Sequence, residues 1–359
     1  MGVTVDIHDI AKRARVSIAT VSRTVNRVPG VKPALSRRVW QAVNELGYSP
    51  NTQARALVRG KSSIFGVIAP GICQPFYGSI VEDFQRRAER WSYEVILSTT
   101  SEDTDRLRLA IRRMVGRRVD GIAIIGIDVS QEIVAEVASA RIPLVFGDVA
   151  AVYPPARNIR IDYLHGIRHA VQHLAALRHS RIAFVGGPAG SSSALARRES
   201  FETSMDEITL SVESRLLLPG CDSLESGKDA MTRLAQFSGP PSAVLCSSEL
   251  SAVGLMQEAT RRGIAVPREL SVIGIGGAWH SLLSVPALTT VQVPQRKLAD
   301  CLFAALYSDA ERQPFPSEGH GYEVTTELVL RSSTAISATA SRSMYAEHEF
   351  ELLHDMKTP

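Results

Sequence analysis

DIHDIAKRARVSIATVSRTVNRVPGVKPALSRRVWQAVNELGYSPNTQARAL, residues 6–57, is the most informative segment of a 359-residue chain. Ile7, Ile10, Ala11 and Ala14 fall on one helical stripe, and Asp6 stands where a side-chain oxygen can cap the first turn. A break follows at Arg15–Val16. Ser17 then reads as a second N-cap, because its hydroxyl can accept from the backbone N–H of Ala19 or Thr20. The spacing predicts a short helix over Ile18–Asn26, with Val21 and Val25 facing the first. Pro33 opens a third helix that runs to Leu46 and stops at Gly47. Its stripe is Leu35, Val39, Val43 and Leu46, with Trp40 expected to add bulk to a small core. Two short helices joined by about four residues, the second rich in Ser, Thr, Arg and Asn, form a helix-turn-helix pattern.

The second helix suits a DNA major groove. Its N-terminus offers backbone N–H groups and the positive end of the helix dipole to a phosphate. Ser17, Thr20 and Ser22 are short enough to let it sit deep. Arg23 can present two parallel donors to guanine O6 and N7, whereas Ile18 and Ala19 offer only apolar contact to thymine methyls or sugars. The alternative is an ordinary three-helix bundle with an exposed polar face. Charge separates the two ends of the chain: residues 1–62 hold eleven Lys and Arg against three acids, so +8 there and −5 elsewhere make up the net +3. A basic head on a mildly acidic body points to a polyanion partner for the head alone, the other reading being a solvated basic face.

Beyond Tyr48-Ser49-Pro50, residues 51–58 read as a short helical stretch with Asn51 as its cap, and Arg59-Gly60-Lys61-Ser62-Ser63 as a flexible joint. So short a helix is marginal alone. It is expected to form when its twin in a dimer and the DNA pack on it, leaving Leu57 as an apolar wedge for a minor-groove base step.

The ordered run D-I-A-x-x-A-x-V-S-x-A-T-V-S-R-x-x-N (9–26), followed by E-L-G-Y-x-P-N-x-x-A-R-A-L (45–57), resembles the DNA-binding head and hinge of the lactose-repressor/galactose-repressor (LacI/GalR) family. The resemblance continues to about Ala335. It implies Ser17–Asn26 as recognition helix, Tyr48 and Asn51 near phosphates, and Leu57 prying open the centre of a pseudo-palindromic operator. One departure is Arg15, where the family usually has Gly or Asn. A left-handed arginine is strained but adds a positive charge close to DNA.

From Ser63 onward, short β-branched runs alternate with helical patterns. Expected strands are 64–69, 94–98, 121–126, 144–147, 181–186, 243–246 and 270–275, with helices between them near 77–91, 104–116, 163–177, 224–237 and 249–262. Such alternation means parallel sheets with right-handed crossovers. The fold class is therefore α/β, with a helix-turn-helix head (1–50), a hinge helix and linker (51–63), a two-lobed effector-binding and dimerisation domain (64–335) and a disordered tail (336–359). The resemblance implies two similar lobes, like periplasmic sugar-binding proteins, joined by three crossings placed near Asp162, Val291 and Tyr322.

Ligands of such folds bind at the strands' C-terminal ends. Phe76 and Tyr77 follow the first strand, where their rings can stack on a sugar or base; lobe packing is the alternative. Asp148 ends the 144–147 strand as a hydroxyl acceptor or a turn cap. Arg197 matches the family's ligand-binding arginine, against a plain surface role. Where the family usually carries Asn-Asp, this chain has Ser248-Glu249. Where it usually has Gly-Tyr/Phe-Asp-Asp, this chain has Gly274-Ile275-Gly276-Gly277, so Gly276 replaces the acid that grips ligand hydroxyls. Losing a charged acceptor costs a polyol about 1.5–3 kcal/mol. A modified sugar, a larger glycoside, a nucleoside-like ligand or no small ligand all stay open. Trp279 offers a stacking surface or core packing.

His165, His169 and His173 recur at helical spacing with His179 beyond, but no acidic or cysteine partner accompanies them, so no metal and no cofactor is expected. VGGPAGSSS (185–193) lacks the Lys and spacing of a P-loop and reads as a strand-to-helix turn. Cys73, placed to face the pocket, is one of four scattered cysteines that read as reduced thiols. The chain is 45% hydrophobic and 21% charged, and no stretch reaches the ~18 apolar residues of a spanning helix. With no signal segment read at its start, the chain is expected in the cytoplasm. It reads as a homodimeric transcriptional regulator, most simply a repressor, with double-stranded DNA and a small effector, a sugar or derivative, as partners and with no membrane. The alternatives are a sugar-binding protein with a vestigial head, and an enzyme on the two-lobed fold.

Overall fold

Asp6 and Asp9 cap each other's backbone at the start of α1 (Ile7–Ala14), which ends on Arg15 in the left-handed conformation, φ 52° and ψ 52°. The structure is a computed structural model describing residues 5–25, 29–48, 61–101, 103–277, 282–312 and 323–338. The chain divides into two units, Met1–Ser62 and Ser63–Pro359. In the first, α1 is followed by α2 (Ile18–Val25) and α3 (Pro33–Leu46). Their shared core is Ile10, Ala14, Val21, Val39, Ala42 and Val43, with Val25 and Leu46 packed against it. Trp40 does not join them: it is 39% exposed, and Leu35 is only half-buried. Trp40 follows Val39 directly, which turns it off the inward stripe, and small Ala42 fills the inner position instead.

The second unit holds two sheets. The first lobe contains β1 (Ile64–Ala69), α4 (Pro75–Arg90), β2 (Glu94–Thr99), α5 (Thr104–Gly116), β3 (Gly121–Ile125), α6 (Gln131–Ser139), β4 (Leu144–Gly147) and β5 (Arg157–Asp162). The second contains α7 (Tyr163–Ala176), β6 (Ile182–Val185), α8 (Ser192–Glu207), β7 (Leu217–Leu218), α9 (Leu224–Leu234), β8 (Ala243–Cys246), α10 (Glu249–Arg261), β9 (Ser271–Gly276) and β10 (Thr289–Gln292). The chain then returns α11 (Gln295–Glu311) and β11 (Glu323–Thr325) to the first lobe and ends on β12 (Glu327–Val329) in the second. The sheet orders are β11-β5-β4-β3-β1-β2 and β12-β10-β9-β8-β6-β7. All pairings are parallel except that of β12 with β10.

Continuous apolar runs such as Gly121–Ile125 and Ala243–Cys246 are buried along their whole length, as strands covered on both faces must be. The first two crossings fall at Asp162–Tyr163 and after Gln292, near their expected places. The third lies at Thr326 between β11 and β12; Tyr322, the expected position, lies outside the described residues. Thr326 is fully buried, donates to Asp162 O (2.7 Å) and accepts from Gly166 N (3.0 Å), stitching the first crossing to the third. Among the described residues no helix is long and apolar enough to cross a membrane.

His179 closes the far end of the second lobe. Its Nε2 lies 2.9 Å from Ala335 O, which can only accept, so Nδ1 receives the Ser242 hydroxyl at 2.8 Å. Burial lowers its pKa below the usual 6.5, with the neighbouring His173 adding to the effect and the Ala335 bond opposing it. Because the folded ring resists the proton that the unfolded ring takes, stability is expected to fall as pH drops below about 6.5 and to level off once folded His179 protonates. Urea melts of wild type and His179→Gln between pH 5 and 8 check this. The variant's pH dependence should be flatter, and parallel curves would rule His179 out as a source.

Candidate functional site

In the head, Ser17 Oγ accepts from Thr20 N (3.2 Å) and bonds Thr20 Oγ1 (2.9 Å), the cap expected from sequence. Val21 is fully buried on one side of α2, while Ser17, Ile18, Ala19 and Arg23 stand exposed on the other, Ile18 at 44%. Thr20 and Ser22 are half-buried at the margin of that face. Tyr48 is half-buried against the head core, which gives it a packing role besides its expected nearness to phosphate. Asn26, Asn51 and Leu57 lie outside the described residues. A contribution not read from sequence is that of Arg38 on α3, whose guanidinium donates to Ala14 O (2.5 Å) and Arg15 O (3.1 Å). It occupies carbonyls left over at the end of α1 and so braces the turn that aims α2.

In the body, Asp148 follows β4 in the left-handed conformation (φ 55°) and is only 2% exposed. Tyr163 Oη donates to its Oδ1 at 2.5 Å and Tyr77 Oη to its Oδ2 at 3.2 Å. Burial raises the Asp148 pKa above the usual carboxylate range, against the opposing pull of Arg197 and the Tyr163 hydrogen bond. The same burial, with Asp148 nearby, pushes both phenols well above their ordinary value, so they stay donors. Asp148 is neither a turn cap nor a surface group; it is the acceptor that two tyrosines share. Tyr77 accordingly sits largely buried, with its hydroxyl committed to Asp148. Phe76 is half-buried and packs against the cores of both lobes.

Arg197 on α8 is buried, 6% exposed. Its Nη1 donates to Ser247 O (2.6 Å) and its Nε to Ser193 O (3.1 Å), while Nη2 lies 3.7 Å from Asp222 Oδ2. The guanidinium carbon is 5.5 Å from the centre of the Tyr163 ring. This buried cation balances the two acids that face it, Asp148 and Asp222.

Two adjoining cavities share Gln74, Tyr77, Arg197 and Asp222 as their common wall. The inner one, about 450 Å³ of empty space, adds Phe76, Tyr163, Ile275, Val293 and the group Ser248, Glu249 and Gly276. The outer one, about 760 Å³, adds Thr100, Gly126, Asp128, Pro188 and Ser191. Cys73 is exposed and lines neither cavity, contrary to expectation. Trp279 lies outside the described residues.

Ser248 is spent as the N-cap of α10, accepting from Ser251 N at 3.2 Å. Glu249 is 3% exposed and receives the Thr290 hydroxyl on Oε1 at 2.8 Å. Its Oε2 comes within 3.4 Å of where a side chain at Gly276 would begin. Gly276 has φ 147°, and a Cβ on the adjoining Gly277 would meet Gln292 Cγ at 2.4 Å. The floor therefore stays bare because its backbone disfavours any side chain, and a carboxylate reaches it from the neighbouring helix instead. Comparison by position shows the acid missing at 276 and Glu249 standing in a separate motif; that the two positions meet is seen only in space.

Tyr163, Asp222, Ser247 and Thr290 join the site without having been singled out from sequence. Among the described residues no group of three or more His, Cys, Asp or Glu is placed to hold a metal ion; the rings of His165 and His169 lie edge to face at 4.6 Å.

Residues 6–51 match the family model for bacterial regulatory proteins, lacI family, and residues 171–334 that for a periplasmic binding protein-like domain. Catabolite control protein A of Priestia megaterium is 32% identical over 291 residues, which span 81% of this chain and 88% of that protein. The lac repressor dimer bound to operator and the anti-inducer ONPF superposes with a TM-score of 0.81 at 27% identity, over 93% of this chain and all of that one. The transcriptional regulator CelR in complex with cellobiose shares the fold, with a TM-score of 0.70 at 23% identity over 92% of this chain and 99% of its own. These relatives are transcriptional regulators and not enzymes.

Proposed function

Because this chain belongs to the LacI family of bacterial regulatory proteins, and so is a DNA-binding transcriptional repressor with an effector-binding domain, we propose that it holds a pseudo-palindromic operator as a homodimer under control of a ligand in the inter-lobe cleft. The observation that carries the operator reading is the two-sided α2: Val21 anchors its back, while Ser17, Ile18, Ala19 and Arg23 form an unobstructed face of groove-reading size. Arg23 reads a guanine, and the short side chains let the helix approach. Residues 1–50 then serve as the head, 51–63 as hinge and 64–335 as the effector-binding and dimerisation part.

For the effector, a sugar or related hydroxylated compound fits the lining best. Phe76, Ile275 and Val293 supply apolar surface for a ring face, and Glu249 replaces the acceptor that Gly276 cannot be. Cellobiose, the ligand of CelR, is a first probe by likeness of fold only.

Selection of bound sequences from a random duplex library tests the operator reading. The wild type should enrich a two-fold-related site, and Arg23→Ala should relax one base pair per half-site at a cost of about 1–3 kcal/mol. Affinity should fall steeply with salt, as phosphate contacts release counterions. Failure of the wild type to enrich any two-fold-related site would overturn the assignment of α2.

A further inference from the structure

We propose that Asp128 and Ser192 form a latch that holds the two lobes closed on each other through protein contacts alone. Asp128 lies in the loop after β3, in the first lobe; Ser192 is the first residue of α8, in the second. Ser192 N donates to Asp128 Oδ2 at 2.7 Å, and Ser192 Oγ donates to Asp128 Oδ1 at 2.6 Å. The same hydroxyl accepts from Ala150 N of the first lobe at 2.9 Å. One serine thus uses its amide, its hydroxyl proton and a lone pair across the cleft.

Both halves of the contact are prepared by their own lobes. Tyr153 Oη donates to Asp128 Oδ1 (3.1 Å) and accepts from Val129 N (3.2 Å), while the tyrosine ring is buried against Phe146 at 4.6 Å. The carboxylate is therefore held in place before Ser192 meets it. On the other side, α8 already has an internal cap in Ser191, which accepts from Ala194 N. Asp128 adds a full negative charge to the same helix end, where the helix dipole favours it. Charged hydrogen bonds of this length are the stronger kind.

The position gives the latch its consequence. Asp128 and Ser191 line the outer cavity together with Thr100, Asp103 and Pro188, and none of these residues belongs to the three crossings. A bond there acts far along the chain from the hinge strands and resists opening directly. It also fixes the start of the helix that carries Ser193 and Arg197, so Asp128 is a positioning residue for the effector cleft. Closure then does not wait for a bridging ligand, and an effector entering the cleft has to do so against the latch.

Cys73 and Cys221 are exposed, one on each lobe, and serve as spin-label sites in the full chain with Cys301→Ser. Labelled protein is diluted with an excess of protein whose Cys73 and Cys221 are also serine, so that only distances within one protomer are read. With no ligand added, the wild type should give one short distance. Asp128→Asn and Ser192→Ala should add a longer population, raising the open fraction about tenfold. Unchanged circular dichroism and melting temperature guard against misfolding. Variants whose distances superpose on the wild type, or a wild type already spread between open and closed, would overturn the latch. Neither result depends on operator binding, so the DNA reading stands or falls separately.

Discussion

Gly254→Ala is expected to destabilise the body by about 3 kcal/mol or more, although alanine normally improves a helix interior by about 1 kcal/mol over glycine. Gly254 lies within α10, and a Cβ there would sit 2.0 Å from Leu224 O of α9. The contact is reciprocal: a Cβ on Gly227 of α9 would sit 1.9 Å from Ser251 O and 2.7 Å from Leu255 N of α10. The obstructing atoms are backbone, so no rotamer change relieves them and the helices have to part. Parting them loosens the core between them, where Met231, Leu234, Leu255 and Met256 pack.

The reversed sign is the test. Gly116, the last residue of α5, has nothing within 4 Å of its virtual Cβ, so Gly116→Ala should leave stability unchanged or raise it slightly. In thermal unfolding of the full chain, Gly254→Ala and Gly227→Ala should each lower the body's midpoint by about 6–12 °C. The head, with its own core, should still fold. A Gly254→Ala protein as stable as wild type would mean that the two helices do not approach as closely as described.

These glycines show what a sequence hides. The head was legible almost residue by residue, because caps and stripes are local: Asp6, Ser17, Pro33 and Gly47 each act within one turn. What failed there was the inward placing of Trp40, which stands next to Val39 and so off the inward stripe, and the non-local reach of Arg38 to the α1 carbonyls. In the body, the fully buried strands announced themselves as apolar runs. β5, reading Arg-Asn-Ile-Arg-Ile-Asp, did not, because charged residues interrupt both of its sides. β7 has two residues and β11 and β12 three each, too few for any period to appear. At the cleft, strand ends pointed to Asp148 and the family pattern to Arg197. Tyr163, Asp222, Asp128 and Ser192 come from four separate segments, and only closure of the lobes brings them within reach. The most instructive case is Gly276: position by position an acid is missing, whereas in space Glu249 lies beside the vacated place.

Arg197→Met is expected to cost the body about 3 kcal/mol, and the cost should depend on pH. Methionine approximates the stem of arginine, so the packing on Tyr163 largely survives while the charge goes. Asp148 and Asp222 then face each other without the cation that balances them. Asp148 already has a pKa raised by burial and restrained by Arg197, so removing the arginine moves it higher still. A carboxyl whose folded pKa lies above its unfolded value stabilises the fold while protonated, and that contribution is lost as pH rises through the folded pKa. The penalty of Arg197→Met should therefore be smallest in acid and grow toward neutral pH. Adding Asp148→Asn removes one of the stranded charges and keeps an oxygen for a tyrosine, so the double variant should recover a large part of the loss. A double-mutant cycle at pH 5 and pH 7.5 measures this, with coupling expected at 7.5 and reduced at 5. Additive costs at both values would mean that Arg197 and Asp148 do not sense each other's charge, and that Asp222 alone balances the arginine. Strong coupling would show that the cleft is built around one shared cation, which any effector must either join or displace.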